Sequence, residues 1–291
     1  MSGFVRQQEK KRRKGGFSMI AEVNLEELIE KGIVEDLFKK ARRIYLDEEK
    51  KYINRNHLRH KIESSIISWY RETSMPAKVY TCYGGIKITT EPLWTVFLEP
   101  INEPFFSFSI VPKEVILETK GFYPKEVKYS VLGNIKTGEM YFSSSDHGAY
   151  YKKIYYSNEK KYLPYLPLEK KDLNNGNNPI IKIGASNHLG QRKHREKKID
   201  KKRCKEVQLL LNQEGFVKSE DPIIVDMINT IEGKIDGYIY HRKGIKNWLA
   251  FYLLAKETNH RLFINGKDIE NKKIRNFFKP SAVFLIKEDL L

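Results

Sequence analysis

The chain has 291 residues, 40% hydrophobic and 12% aromatic, with a formal charge of +16. That length and composition supply a sizeable buried core, in one large domain or two smaller ones, and exclude wholesale disorder. No apolar run reaches the roughly 18 residues of a membrane span. The N-terminus carries charge without an apolar core, which argues against a secretory signal. Cys82 and Cys204 stand far apart without metal spacing, so reduced thiols in a cytoplasmic protein are expected.

Residues 1–18 are polar, basic and punctuated by glycine, which predicts a disordered tail. Asn24 followed by Glu27 marks a helix start, with Leu25, Leu28 and Ile29 on one face up to Gly32. Val34, Leu37, Phe38, Ala41, Ile44 and Tyr45 resume helical spacing, and a second helix is predicted over 53–70 through Leu58, Ile62, Ile66 and Trp69. His57 and His60 sit on that helix without a third ligand nearby and are read as surface residues. From Lys78 the period becomes two. Strands are predicted over 79–83, 86–89 and 94–98, the last stopped by Pro100, and Phe106, Phe108 and Ile110 alternate with serines as a half-buried strand. Segments 127–135 and 139–142 flank Lys136-Thr137-Gly138 as a hairpin, and 150–156 adds a strand.

Residues 157–179, with Pro164, Pro167 and an Asn/Gly cluster ending at Pro179, read as a linker. Beyond it strands and helices alternate. Strands are expected over 180–183, 216–217, 238–240, 262–264 and 283–286. Helices are expected through the basic stripe to Leu211, from Pro222 to Gly233, and over 247–256. This divides the chain into the tail 1–18, an α+β part 19–173 and an α/β part 174–291, with no internal repeat.

The basic charge is concentrated. Residues 1–16 carry a net +5 and residues 191–206 a net +6, so a polyanion or nucleic acid is a candidate partner. Lys182-Ile183-Gly184-Ala185-Ser186 precedes a predicted helix. With Arg192, Lys193 and Arg195 further on, Lys182 and Ser186 are candidate anion ligands. Gly-x-Ser-x-Gly, the phosphate-binding P-loop and His-Glu-x-x-His are all absent from the sequence.

Trp94-Thr95-Val96-Phe97-Leu98-Glu99-Pro100-Ile101-Asn102-Glu103-Pro104 resembles the Trp-x-x-Asp-Pro-Leu-Asp-Gly-Thr signature of the inositol monophosphatase family. Three later segments fall in the family's order. Gly138 to Phe142 with Gly148-Ala149-Tyr150 looks like its strand pair ending in Gly-Ala. Gly233-Lys234-Ile235-Asp236-Gly237-Tyr238 looks like its Gly-x-x-Asp-x-Tyr turn, and Gly244 to Trp248 leads to a helix as its Trp-Asp-x-Ala motif does. The resemblance covers roughly residues 20–291 and implies the layered α-β-α-β-α sandwich of the sugar phosphatases. It also implies a Mg²⁺ site in which carboxylates hold two or three cations that activate water.

Onto that pattern this sequence places Glu99 and Asn102 for the two aspartates, Glu103-Pro104 for Gly-Thr, and Leu249, after Trp248, for the last aspartate. Ser219-Glu220-Asp221-Pro222 falls near the small segment that admits substrate. Glu99 keeps a charge and is the one metal ligand to expect. Proline offers neither N–H nor hydroxyl, and leucine cannot hold a cation. Asp236 is read as a turn residue. The expected function is a non-catalytic member of the fold acting by binding or assembly, without a cofactor. The alternatives are a Mg²⁺-dependent phosphatase acting on a phosphorylated sugar or polyol, and a polyanion binder using the basic segments. The partners to expect are a second copy of the chain and a polyanion, and no membrane.

Overall fold

In a computed structural model of the chain, the described residues are 33–49, 55–72, 76–81, 84–102, 104–117, 120–145, 147–154, 166–167, 179–184, 215–219, 221–240, 248–264, 267–275 and 283–290. The basic tail, the stripe 191–206, both cysteines and the helix expected to end at Leu211 lie outside them.

Two helices open the described chain, α1 (Ile33–Glu49) and α2 (Arg55–Glu72). α1 buries Leu37, Phe38, Ala41 and Tyr45, and α2 buries Ile62, Ile66 and Tyr70. These positions recur every three to four residues, as an amphipathic helix requires. His57 and His60 are exposed on α2.

Eight strands follow, β1 (Ala77–Thr81), β2 (Gly84–Lys87), β3 (Trp94–Asn102), β4 (Phe105–Val111), β5 (Tyr129–Asn134), β6 (Glu139–Ser144), β7 (Gly148–Lys153) and β8 (Leu166–Pro167). They form one sheet in the order β2-β1-β3-β4-β5-β6-β7-β8. β1 and β3 pair parallel and the other neighbours antiparallel. α1 and α2 cover one face, over Val79, Val96, Phe106, Phe108, Tyr129, Val131 and Phe142. The contact is close: a Cβ on Gly133 would lie 1.9 Å from Phe38 Cε2. The β5–β6 turn uses Gly138 at φ +82°, while Asn134 Oδ1 accepts from the Lys136 and Thr137 amides at 3.1 and 3.2 Å.

The second sheet holds β9 (Ile181–Gly184), β10 (Phe216–Lys218), β11 (Gly237–Tyr240), β12 (His260–Ile264), β13 (Lys267–Asp268) and β14 (Val283–Lys287), in the order β10-β9-β11-β14-β12-β13. β10, β9 and β11 run parallel, and the remaining pairs are antiparallel. Helices α3 (Ile223–Ile231) and α4 (Trp248–Glu257) lie between the sheets. α4 is buried from Trp248 through Ala255, the pattern of a helix covered on all sides. It packs on β4, β5, β6 and β7 across one face and on β12 across the other. The described layers are therefore helices, sheet, helices, sheet. No helix among the described residues is long and apolar enough to cross a membrane.

Three expectations need correction. Pro100 does not stop β3, which continues to Asn102 through a register shift between Glu99 and Asn102. A bulge is one of the few places where a sheet tolerates proline. β4 is buried along its whole length, with Ser107 and Ser109 at 0% exposure. Helices lie on both of its faces, and Ser109 Oγ finds Ser130 Oγ at 3.0 Å. Within the expected linker, Leu166–Pro167 joins the first sheet as an edge strand on β7, a position where a missing N–H does no harm.

Candidate functional site

The β3–β4 turn carries most of the motif residues. Glu99 pairs through its backbone with Ser107, and Asn102 with Phe105, across the register shift. Glu103 lies outside the described residues, as do the side chains of Glu99 and Asn102. Pro104 is half-buried, and its carbonyl accepts from the Ile135 amide at 2.9 Å. That bond ties the β3–β4 turn to the β5–β6 turn beside it.

α4 brings Trp248 and Leu249 to the same core. Leu249 is 0% exposed and Trp248 6%. Both belong to the apolar cluster between the sheets, with Phe97 of β3, Phe105 of β4 and Leu132 of β5. α4 packs on β4 and β5 of the first sheet, and the side chain contributed at 249 is a buried hydrocarbon.

Lys182, a candidate anion ligand in the sequence, has an ammonium that already holds carboxylate partners. Nζ donates to Asp221 Oδ2 at 2.8 Å and to Asp226 Oδ1 at 2.9 Å. Its pKa is raised, first by the bond to Asp221 and then by that to Asp226. Asp226, on α3, is 0% exposed. Ser219 Oγ donates to its other oxygen and accepts from the Asp221 amide at 3.1 Å. The network joins β9 to the strand–helix turn between β10 and α3, and an incoming anion would have to displace Asp221. Ser186, Arg192, Lys193 and Arg195 lie outside the described residues. Sequence reading missed Asp226, because an acid in the first turn of a helix reads as ordinary helix-start chemistry. Its partners come from a strand 44 residues away and from the preceding turn.

Asp236 ties the starts of β9 and β11. Oδ2 accepts from the Ile180 amide at 2.8 Å, and the Asp236 amide donates to the Ile180 carbonyl at 2.9 Å. Among the described residues no group of three or more His, Cys, Asp or Glu is placed to hold a metal ion.

No family model and no curated sequence matches the chain. Its shape, by contrast, is shared with solved structures. Inositol monophosphatase II from Staphylococcus aureus MSSA476 is 14% identical with a TM-score of 0.60, over 88% of each chain. CysQ from Bacteroides thetaiotaomicron, a bacterial member of the inositol monophosphatase family, is 12% identical with a TM-score of 0.57, over 86% of this chain and 93% of its own. Fructose-1,6-bisphosphatase from Leishmania major is 8% identical with a TM-score of 0.64, over 94% of each chain. The class is thus an α+β sandwich of mixed sheets and helical layers. Within that class the fold is that of the inositol monophosphatase and fructose bisphosphatase type, as the motif order in the sequence implies.

Proposed function

We propose that this chain is a non-catalytic protein on a phosphatase fold, acting by binding or assembly. The burial of Leu249 carries the reading. Where the family resemblance asks for a carboxylate, the helix presents a fully buried isobutyl group inside an apolar cluster. A hydrated divalent cation is not stable against hydrocarbon, and Mg²⁺ gives up its water only to oxygen ligands. Pro104 adds to this, with no N–H to offer a phosphate and its carbonyl engaged by Ile135. The residues at 104 and 249 therefore do not fit the metal site that the fold's enzymes would suggest, and no catalytic step is assigned to them.

Retention of a carboxylate at Glu99 favours the second reading, a Mg²⁺-dependent phosphatase that draws its other ligands from elsewhere. One experiment separates the two. Phosphate release from inositol monophosphate and fructose bisphosphate is measured at millimolar Mg²⁺, for the full chain and for Glu99→Gln, alongside melting temperature with and without the metal. We expect no release above the Glu99→Gln background and no metal-dependent rise in Tm, because a ligand that does not bind the native state cannot stabilise it. Turnover by the parent that Glu99→Gln abolishes would establish the enzyme.

A further inference from the structure

We propose that a basic surface built around Tyr123 is a docking site for single-stranded nucleic acid. It is assembled from two distant segments, 120–128 and 271–275, joined by a two-way backbone bridge. The Phe122 amide donates to the Ile274 carbonyl at 3.0 Å, and the Ile274 amide donates to the Phe122 carbonyl at 2.7 Å. Lys125 Nζ donates to Asn271 Oδ1 at 3.0 Å. Gly121, at φ +63°, permits the close approach, since a Cβ there would lie 2.4 Å from the Ile274 carbonyl oxygen.

The bridge gathers cations around one aromatic ring. Lys125 Nζ lies 5.6 Å and Lys273 Nζ 5.8 Å from the Tyr123 ring centroid, both within cation–π range. Lys120 and Arg275 are exposed next to the bridge, and Lys272 is half-buried beside it. Glu126 is the one carboxylate in these two segments. It is bonded to Lys113 and accepts from the Tyr123 amide at 2.9 Å, so it leaves the surface strongly positive.

The backbone that carries the ring is anchored in the core on one side. Its neighbour Phe122 stacks on Phe97 at 4.6 Å, and Phe97 on Tyr80 at 5.5 Å. The short 3-10 turn Pro124–Glu126 fixes the loop on the other side. An aromatic residue on an anchored backbone loses less freedom when something stacks on it than one on a loose loop.

The chemistry selects the partner. Lysine and arginine around an aromatic ring match a chain that alternates phosphates with flat bases. Stacking on the ring needs an unpaired base, which favours a single strand over a duplex. An anionic membrane would also be drawn to the charge, but none of the described exposed large hydrophobic side chains, Leu93, Ile180, Val217 and Leu290, falls in these segments. This surface uses no residue of the basic segments 1–16 and 191–206, and it does not depend on whether the chain has phosphatase activity.

The test uses the full chain and a fluorescein-labelled oligouridine of about 15 nucleotides, long enough to cover one single-strand site. A duplex of equal length and phosphatidylserine vesicles serve as competitors. We expect the single strand to bind more tightly than the duplex. Tyr123→Ala should weaken it about tenfold, while Tyr123→Phe retains binding. The surface double variant Lys125→Gln/Lys273→Gln should lower the slope of log K against log salt by about 1. Tyr123→Ala that melts as the parent and binds within twofold of it would overturn the proposal. So would an unchanged salt slope in the double variant, equal affinity for the duplex, or binding to vesicles alone.

Discussion

Leu249 shows how one side chain bears on a whole chemistry. It sits at the start of a helix buried on every side, in a cluster with Phe97 and Phe105. Leu249→Ala should destabilise the protein by about 2–5 kcal/mol, as large-to-small changes in close-packed cores do. Leu249→Asp should be worse still, because its carboxylate would be desolvated with no cation to offset it. Urea unfolding of the two variants with and without millimolar Mg²⁺ checks this. If Mg²⁺ restored Leu249→Asp to the parent's stability, the other ligands would still be in place and Leu249 alone would be what keeps the metal out of the parent. The identity of residue 249 was legible in the sequence from its place after Trp248. Its surroundings were not, since α4 packs on β4 and β5, which lie more than a hundred residues earlier.

Elements were legible where period and punctuation agreed. Pro222 and Gly233 bracket α3, and Gly138 with Asn134 closes the β5–β6 turn, because each of these residues imposes a backbone geometry by itself. β4 departs from its expected half-buried form because alternation with serine resembles a solvent face, whereas Ser109 pairs with Ser130 inside a covered sheet. The ties between elements were invisible for a different reason: they join residues far apart in the chain. Lys152 on β7 meets Glu35 on α1 across 117 residues, and Lys125 meets Asn271 across 146.

The link from Lys182 to α3 is of the same kind and makes a pH prediction. Its raised pKa means that its contribution to stability is fully present below the unfolded lysine value of about 10.4 and is lost as pH rises through the folded value. The Tm gap between the parent and Lys182→Gln should therefore stay constant from about pH 6 to pH 9 and narrow only above about pH 10.5. The size of the gap should correspond to roughly 2 kcal/mol, because Asp226 would remain buried with Ser219 as its side-chain partner. A gap that already closes by about pH 8 would mean that the ammonium contributes nothing there.

For the molecule as a whole, the two sheets share one helical layer. Among the described residues, the first sheet draws its strands from residues 77–167 and the second from 181–287, which gives a division into two halves. We infer that the division is one of architecture rather than of folding. α4 belongs by sequence to the second half, yet it packs on β4, β5, β6 and β7 of the first. Tyr141 Oη on β6 donates to Glu232 Oε1, just past α3, at 2.8 Å, and burial followed by that carboxylate's charge raises the tyrosine's pKa. Without the second half, Phe105, Val111, Leu132, Tyr141 and Ala149 would lose their cover. At about 1.5–3 kcal/mol for each large apolar side chain, the loss is on the order of 10 kcal/mol, comparable with the whole stability of an ordinary domain. Calorimetry of the full chain should thus show a single transition, with calorimetric and van't Hoff enthalpies in agreement. A fragment spanning residues 19–173 should bind a hydrophobic dye and show no cooperative melt of its own. A sharp, dye-free transition from that fragment would show that the first sheet and its outer helices are stable alone, with α4 added only as a lid.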